Sequence, residues 1–239
     1  IQEERFDIVH CHGSRANMIG AILKRTINVP IVTTVHSDYR LDYLGRPFHR
    51  LTYGTINTIS LRMFDYHIGV SDAMVQLLIS RGFNPQKLFS IYNGVAFPPE
   101  KPSLSRGEYL ESLGVSYDED TVVFGIAARL NPVKDIATLI RGFAGACRKC
   151  PNIRLVIAGD GEERQMLESL AKETCPAGSV VFAGWVKDTD SFYHAIDVNM
   201  LTSLSEGSPY ALVEGARMRC ATIATSVGGI PYMMESGVT

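Results

Sequence analysis

Two glutamates, Glu206 and Glu214, follow a short apolar run over residues 198–201 that predicts a β-strand. Glu206 falls in the loop after this strand, and Glu214 falls on a helix for which we expect Pro209 to be the first helical residue. Gly207 lets the loop backbone approach a ligand closely. Carboxylates accept hydrogen bonds from adjacent sugar hydroxyls, so the pair suits a sugar ligand. Helix-terminus electrostatics for Glu206 and surface solvation for Glu214 are the alternative interpretations.

Two cations, Arg129 and Lys134, follow another predicted strand over residues 121–126. Arg129 lies just past the strand, and Lys134 is expected in the first turn of the next helix. A pyrophosphate needs charge neutralisation together with hydrogen-bond donors, and both residues supply them. A lysine at a helix N-terminus opposes the helix dipole, so this position favours a bound anion. A solvated surface pair remains an equal alternative.

Short β-branched runs alternate with amphipathic runs along the whole sequence. The expected strands cover residues 7–10, 30–35, 66–70, 88–92, 121–126, 153–158, 180–182, 198–201 and 222–224. Residues 133–147 and 162–173 are examples of the helical runs between them. Apolar strands that alternate with helices predict an α/β fold with buried parallel sheets. Ligands of such sheets bind at the carboxyl ends of the strands, which is where the four charged residues lie.

The alternation is interrupted once, in a stretch that contains Pro98, Pro99 and Pro102 and no clear strand. Clustered prolines are typical of surface connections, so we predict a linker over residues 98–120. The prediction is therefore two Rossmann-like, doubly wound domains, over residues 1–97 and 121–239, that face a cleft.

Composition excludes several function classes. The 239 residues carry a formal net charge of −2, which argues against nucleic acid as an obligatory partner. No run reaches the ~18 apolar residues that span a bilayer. Five cysteines, an odd number, indicate reduced thiols and a cytoplasmic protein. Cys147 and Cys150 form a CxxC that could be redox-active or half a zinc site, but no second ligand pair has metal spacing, and a structural interpretation is favoured.

The spacing of these residues resembles that of glycosyltransferase family 4, the retaining GT-B glycosyltransferases. Glu206 and Glu214 are similar to the E-x7-E motif of that family, and Arg129 and Lys134 are similar to its GRLxxxKG segment. Further segments that match at the same separations are residues 70–72, 92–95, 182–185, 205–209 and 224–231. The resemblance runs in one register from about Phe6 to Gly237.

The resemblance implies a donor, a nucleoside diphosphate sugar linked to UDP or GDP. Arg129 and Lys134 would bind its pyrophosphate and stabilise the leaving diphosphate. Glu206 would contact the transferred sugar and Glu214 the ribose. It also implies front-face attack by the acceptor hydroxyl, with net retention and without a protein nucleophile or a cofactor.

Further residues take roles from the same resemblance. The backbone amides of Gly207 and Ser208 would help to hold the sugar and phosphate, and Pro209 belongs to the same donor-binding segment. His36, at the end of the predicted strand 30–35, would face the donor sugar; without the resemblance it would be interpreted as a surface loop histidine.

The sequence departs from the family pattern at three positions. Ala128 and Asp135 replace the usual glycines before the arginine and after the lysine, and Tyr232 replaces an acidic residue. The sequence opens at Ile1 without a methionine. We therefore expect a piece of a longer protein, with a glycine-rich acceptor loop before residue 1 and a returning helix after residue 239.

Asp188 and Asp190 could be mistaken for a metal-binding DxD motif. They precede a helical run from Ser191, where aspartate is a favoured cap, so capping is the preferred interpretation and no metal is expected. A nucleotide-sugar epimerase and a non-catalytic sugar-binding domain remain alternative functions. The first would need acid and base residues in place of the E-x7-E pattern.

The acceptor cannot be identified from the sequence. Residues 40–62 contain four arginines interleaved with aromatic residues, which suits peripheral association with an anionic membrane at its cytoplasmic face or with a lipid-linked acceptor. An amphipathic helix with a solvated basic face is an equal alternative.

Overall fold

The structure is a computed structural model, and it describes residues 6–41, 54–97 and 101–237. The chain divides into two compact units. The first unit takes the chain up to Asn93, together with Ser205–Ser208 and the chain from Ser226 onward. The second unit takes Gly94–Leu204 and Pro209–Thr225. Two short segments that were predicted in the second domain therefore belong to the first unit by their contacts.

The first unit is built on a four-stranded parallel sheet with the order β1-β2-β3-β4. Its elements are β1 (Val9–His12), α1 (Gly13–Leu23), β2 (Ile31–Val35), α2 (Thr55–Arg62), β3 (Tyr66–Gly69), α3 (Asp72–Ser80) and β4 (Leu88–Ser90). Ser71 caps α3, because its side chain accepts a hydrogen bond from the Met74 amide at 3.2 Å. Val35, Leu61 and Leu78 are buried in the core that holds α2 and α3 to this sheet.

The second unit is built on a five-stranded parallel sheet with the order β7-β6-β5-β8-β9. Its elements are α4 (Arg106–Ser112), β5 (Val122–Ala127), α5 (Ile136–Cys147), β6 (Ile153–Ala158), α6 (Arg164–Thr174), β7 (Val180–Gly184), α7 (Thr189–Ala195), β8 (Val198–Leu201), α8 (Tyr210–Arg217) and β9 (Ala221–Ala224). The strand order reverses between β5 and β8, which is the usual ligand-binding point of a doubly wound sheet.

The internal strand β6 shows why a continuous apolar run forms a strand of this sheet. Leu155 and Ile157 are fully buried against Ile140 and Phe143 of α5 and Leu167 of α6. Helices pack on both faces, so each strand residue meets an apolar layer, and each large side chain contributes roughly 1.5–3 kcal/mol by leaving water. The predicted α/β fold with parallel sheets is confirmed.

The interval that was predicted as a linker, residues 98–120, contains helix α4 and part of a core. Ser105 and Glu108 form a capping box at the start of α4. Tyr109 and Leu110 are buried in one cluster with Phe192 of α7. The described part of the interval therefore packs as a layer of the second unit. This helix was not predicted from the sequence because its apolar positions are few and the prolines before it suggested a connection.

Cys147 ends α5 and is buried, whereas Cys150 is exposed, and neither forms a disulfide. None of the helices within the described ranges is both long and apolar enough to cross a bilayer.

Candidate functional site

The carboxyl ends of β5 and β8 lie side by side where the strand order reverses, because Phe124 pairs with Val198 and Gly125 with Asn199. Arg129 follows β5 by two residues and is exposed at this edge of the sheet. Within the described residues its guanidinium makes no ion pair. The structure therefore presents a cation at the position that the sequence predicted.

Lys134 is not in the first turn of α5, so that part of the prediction is wrong. It ends a separate 3-10 helix, Pro132–Lys134, and α5 begins only at Ile136. Asp135 lies between these two helices and has a left-handed backbone conformation, with φ 44° and ψ 46°. Few residues other than glycine adopt this conformation, although aspartate and asparagine tolerate it. The same backbone requirement explains why a glycine is expected here and why Asp135 can replace it.

The turn that carries Lys134 is fixed to the loop after β8. The Leu204 amide donates to the Val133 carbonyl at 2.8 Å, and the Thr202 hydroxyl donates to the Lys134 carbonyl at 3.0 Å. The Thr225 hydroxyl donates to the Ser203 carbonyl at 2.7 Å, which ties in the end of β9. These three bonds hold the cationic turn beside the chain that leads to Glu206.

Two glycines that sequence reasoning did not single out position Arg129. A Cβ at Gly159 would lie 1.9 Å from the Ala128 carbonyl oxygen, and one at Gly161 would lie 2.2 Å from that of Leu130. The Leu130 amide donates to the Asp160 carbonyl at 3.0 Å. Only glycine allows this close approach of two loops. The signal in the sequence was a Gly-x-Gly directly after β6.

Acidic side chains also lie near the cationic turn. Burial raises the pKa of Glu163, and the carboxylates of Glu162 and Asp135 raise it further. Asp135 is therefore close enough to Glu163, the N-cap of α6, to act on it electrostatically. The carboxylate that Asp135 adds in place of the usual glycine therefore lies near those of Glu162 and Glu163.

The loop that contains Glu206 packs in the first unit, where a pair of glycines supports it. Glu206 is 9% exposed. A Cβ at Gly228 would lie 1.7 Å from the Glu206 carbonyl oxygen, and one at Gly229 would lie 1.9 Å from the Gly207 carbonyl oxygen. Gly228 also has a positive φ of 54°. The Gly-Gly pair and the Ser-Glu-Gly-Ser-Pro loop are therefore two halves of one packing arrangement.

His36 lies against the same loop within the first unit. A Cβ at Gly207 would lie 2.2 Å from the His36 carbonyl oxygen, so the two backbones are in close contact. Ser208 is 4% exposed, and its hydroxyl accepts a hydrogen bond from the Asn93 amide at 3.2 Å. The Asn93 side-chain amide donates to the Ser208 carbonyl at 2.7 Å. The structure thus brings the Glu206–Ser208 loop together with His36 in the first unit. The other predicted residues, Arg129, Lys134, Pro209 and Glu214, lie in the second unit.

Pro209 and Glu214 belong to the second unit. Helix α8 begins at Tyr210, so Pro209 is its N-cap, with φ −70° and ψ 123°, rather than the predicted first helical residue. Its extended backbone turns the loop into the helix without breaking a hydrogen bond. Glu214 is half-buried on α8. Burial raises the pKa of Glu214, while the neighbouring Tyr193 hydroxyl and the Arg217 guanidinium oppose that rise.

The two aspartates of the DxD sequence have structural roles. Asp188 is the N-cap of α7, where it accepts from the Ser191 amide at 3.0 Å and from the Ser191 hydroxyl at 2.6 Å. Asp190 forms an ion pair with Arg217, and both side chains are largely buried. The prediction that Asp188 is a cap is confirmed. In the parts of the chain that the structure describes, no group of three histidines, cysteines or carboxylates is arranged to hold a metal ion.

A group of histidine rings around His36 was not predicted from the sequence. His12 at the end of β1 contacts His36, with 3.1 Å between His12 Nδ1 and His36 Nε2. The pKa of His36 is lowered by partial burial of the ring and by the nearby His12 and His10. The His-x-His sequence of residues 10–12 was the available signal, since alternate strand residues share one face.

Two family profiles match the chain. The profile described as glycosyl transferases group 1 matches residues 114–239, which is more than half of the chain. The profile described as glycosyltransferase family 4 matches residues 1–97.

Curated relatives match almost the whole chain. An uncharacterized glycosyltransferase of Methanocaldococcus jannaschii is 30% identical, over 98% of this chain and 61% of that protein. The UDP-Gal:alpha-D-GlcNAc-diphosphoundecaprenol alpha-1,3-galactosyltransferase of Escherichia coli is 26% identical, over 96% and 60%. A phosphatidylinositol N-acetylglucosaminyltransferase of Arabidopsis thaliana is 27% identical, over 98% and 50%. The chain thus spans between half and about three fifths of these relatives.

Solved structures show the same fold. Anabaena HepE in complex with UDP-glucose superimposes with a TM-score of 0.82 at 22% identity, over 99% of this chain and 64% of that one. The sucrose-phosphate synthase of Thermosynechococcus elongatus superimposes with a TM-score of 0.79 at 20% identity, over 96% and 58%. These likenesses confirm the predicted GT-B architecture of two Rossmann-like domains.

Proposed function

The chain belongs to the glycosyl transferases group 1 family, and on that premise we propose that the protein is a retaining glycosyltransferase. It moves a sugar from a nucleoside diphosphate sugar to a hydroxyl group of an acceptor. The observation that carries the proposal is the cationic turn of Arg129 and Lys134 beside the loop after β8, at the reversal point of the second sheet.

The two cations act on the pyrophosphate. Departure of the nucleoside diphosphate builds negative charge on its outer phosphate as the glycosidic bond breaks. Arg129 offers a planar set of donors and Lys134 a compact charge, and the bonds from Thr202 and Leu204 hold the lysine turn in place before the donor binds. Preorganised cations of this kind stabilise the transition state more than the ground state.

The two glutamates divide the donor between them. Glu206 accepts hydrogen bonds from hydroxyls of the transferred sugar, and the amides of Gly207 and Ser208 support the sugar and phosphate. Glu214 accepts from the ribose hydroxyls. The close packing of Gly228 and Gly229 under the loop supports the role of Glu206, because it fixes the backbone from which that side chain projects.

His36 contacts the donor sugar from the first unit, as its close approach to Gly207 supports. The acceptor hydroxyl attacks the anomeric carbon on the face from which the diphosphate leaves. The leaving phosphate oxygen takes up the proton of the attacking hydroxyl. Bond making and bond breaking on one face retain the anomeric configuration.

The donor is a UDP-linked sugar in this proposal, with a GDP-linked sugar as the alternative outcome. The Escherichia coli relative is named for UDP-Gal, and the Anabaena structure contains UDP-glucose. No metal takes part, because Arg129, Lys134 and the helix N-termini supply the positive charge, while Asp188 and Asp190 are engaged in a cap and an ion pair.

The acceptor is lipid-linked, and the protein acts at the cytoplasmic face of a membrane in glycan or glycolipid synthesis. One relative is named for GlcNAc-diphosphoundecaprenol and another for phosphatidylinositol. The five cysteines suit a reducing compartment. Most of the basic segment 40–62 lies outside the described residues. Of its arginines, Arg62 is exposed on α2, where its guanidinium donates to the carbonyls of Arg81 and Gly82.

Incubation of the protein with a panel of UDP- and GDP-linked sugars tests the proposal. Nuclear magnetic resonance of the mixture distinguishes three results. Release of nucleoside diphosphate from one donor supports a transferase. A changed sugar that is still attached to its diphosphate identifies an epimerase. Binding of a donor without either change identifies a non-catalytic domain. The epimerase result and the non-catalytic result both contradict the proposal.

A further inference from the structure

Four polar side chains line one face of the first sheet at the carboxyl ends of β1 and β2. The two strands are parallel, and His12 lies opposite Thr34. Side chains two residues apart share a strand face, so His10 and His12 lie on one face of β1. His10 Nε2 lies 2.8 Å from the Thr34 hydroxyl, and His12 Nδ1 lies 3.1 Å from His36 Nε2. Each histidine of β1 therefore contacts the residue two positions beyond its register partner on the neighbouring chain.

His12 is an unusual residue for its position. It is the N-cap of α1, where serine, threonine, aspartate or asparagine would normally accept a hydrogen bond from the helix backbone. The His12 side chain makes no such bond, and the first turn of α1 contains no acidic residue. Its imidazole is instead directed to His36. The His12 side chain therefore contacts the His36 ring instead of capping the helix.

We infer that His12 is a positioning residue for His36. One hydrogen bond between His12 Nδ1 and His36 Nε2 holds the His36 ring at the carboxyl end of β2. The inference deepens the proposed function, since it rests on His36 as the histidine that contacts the donor sugar. A hydrogen bond between two imidazole nitrogens needs one donor and one acceptor. Two N–H groups cannot face each other at 3.1 Å, so the contact is lost when both rings are protonated.

The shared hydrogen also determines what the other nitrogen of His36 can do. If His12 Nδ1 carries the hydrogen, neutral His36 keeps its own hydrogen on Nδ1 and donates from there. If His36 Nε2 carries it, Nδ1 is an acceptor. The ring orientation and the tautomer of an imidazole are set together by the bond at its other nitrogen. His12 thus selects how His36 meets a sugar hydroxyl.

The charges around the pair favour the neutral rings. Partial burial, followed by the effects of His12 and His10, lowers the pKa of His36. The pKa of His10 is lowered by burial and by His12. On the elements that pack around the pair, the other charged side chains are Arg15 of α1, Asp38 after β2 with its partner Arg81, and Glu206 beside Gly207. The lowered pKa means that the neutral form persists below the usual histidine range and is lost as pH falls further.

The test compares His12→Phe, which keeps a ring without a polar atom, with His12→Asn, whose side-chain amide places a hydrogen-bonding atom near the position of Nδ1. Nitrogen-15 spectra of the labelled protein without nucleotide report the tautomer and titration of His36. Transfer assays report kcat and KM against pH for the same proteins. His194→Phe, at an exposed histidine of α7, is the matched control and is expected to behave as wild type. Circular dichroism establishes that each variant folds.

We expect His12→Phe to mix the tautomers of His36 and to lower kcat roughly tenfold, as loss of an orienting partner of an imidazole does in metal sites. The acidic limb of the rate profile should move to higher pH, because a positive neighbour is removed. His12→Asn should recover most of kcat but keep the shifted limb. A merely structural role would not separate these two effects.

An unchanged tautomer and titration of His36 in folded His12→Phe would overturn the inference, as would an unchanged kcat. A different result would contradict the role of His36 in the proposed function. If His36→Ala transfers sugar as well as wild type, His36 does not contact the donor, whatever the spectra show for the pair.

Discussion

Arg129 and Lys134 reach their places by different means, although the sequence presents them as a pair. The position of Arg129 depends on Gly159 and Gly161, because the backbone on either side of Arg129 approaches them too closely for a Cβ. Lys134 depends on the left-handed Asp135, which stops the 3-10 helix and delays α5. The residue types were readable from the sequence. The backbone conformation that positions the two side chains could not be predicted, because it depends on contacts between loops that are distant in the sequence.

Replacement of Arg129 or Lys134 by alanine should weaken binding of the nucleoside diphosphate by roughly 1.5–3 kcal/mol, since each removes a hydrogen bond to a charged group. Calorimetry with UDP and GDP measures this loss. Arg141→Ala, at an exposed position of α5, is the matched control and should bind as wild type. Affinity that is equal in all three variants and in wild type would exclude both cations from the site.

Replacement of each glutamate by glutamine should affect different ligands. Glu206→Gln should spare binding of the bare nucleoside diphosphate, which has no sugar, and should depress turnover. Glu214→Gln should weaken the diphosphate and the intact donor alike, since both carry the ribose. The first is chiefly a loss in the transition state, and the second is a uniform loss of binding. Calorimetry with both ligands and kcat measure the difference.

Circular dichroism must first show that both glutamine variants fold. The assignment would be contradicted if both substitutions weakened the bare diphosphate equally, or if neither reduced turnover.

At the scale of elements, the sequence predicted strands better than it predicted what joins them. The strands over residues 153–158 and 198–201 have the predicted bounds, because a buried parallel strand is a continuous apolar run between polar ends. Helix α4 was missed, since its buried face consists of little more than Tyr109 and Leu110. The start of α8 was placed one residue early, because proline is common both at the first helical residue and before it.

The division of the chain into units was the least predictable feature. The Glu206 loop follows a strand of the second sheet, yet its contacts are with Gly228, Gly229 and His36 in the first unit. Such packing depends on backbone approaches that a periodic pattern does not encode. The two glycines were visible in the sequence only as a family landmark, and their physical purpose came from the structure.

Gly229→Ala should displace the backbone of the loop that contains Glu206. The added Cβ would meet the Gly207 carbonyl oxygen at 1.9 Å and the Ser71 Cβ at 2.9 Å, so the backbone must move. We expect a free energy of unfolding lower by about 1–3 kcal/mol, as in overpacked cores, and a lower kcat. Urea denaturation and the transfer assay measure both effects.

Gly142→Ala is the matched control for that substitution. Gly142 lies inside α5, and a Cβ there meets nothing within 4 Å. Alanine should raise the free energy of unfolding by roughly 0.5–1 kcal/mol through helix propensity and leave kcat unchanged. If Gly229→Ala were as stable and active as Gly142→Ala, the packing of the Gly-Gly pair would not be what holds the loop.

For the whole molecule, we predict that transfer does not depend on a metal ion. In the proposed function Arg129 and Lys134 balance the charge of the diphosphate, while Asp188 and Asp190 form a helix cap and an ion pair. Transfer activity should therefore persist in EDTA, measured as nucleoside diphosphate released per minute. Complete loss that manganese or magnesium restores would show that a metal bridges the phosphates, and it would return both aspartates to consideration as ligands.

The central claim is sugar transfer from a nucleoside diphosphate donor with retention, and the anomer that is formed first tests it most directly. The protein is mixed with the donor that it cleaves, with water as the acceptor, and proton spectra are recorded before the free sugar mutarotates. Front-face attack predicts that the first sugar released has the same anomeric configuration as the donor. A first product of opposite configuration would contradict the claim, because it requires attack from the other face of the ring.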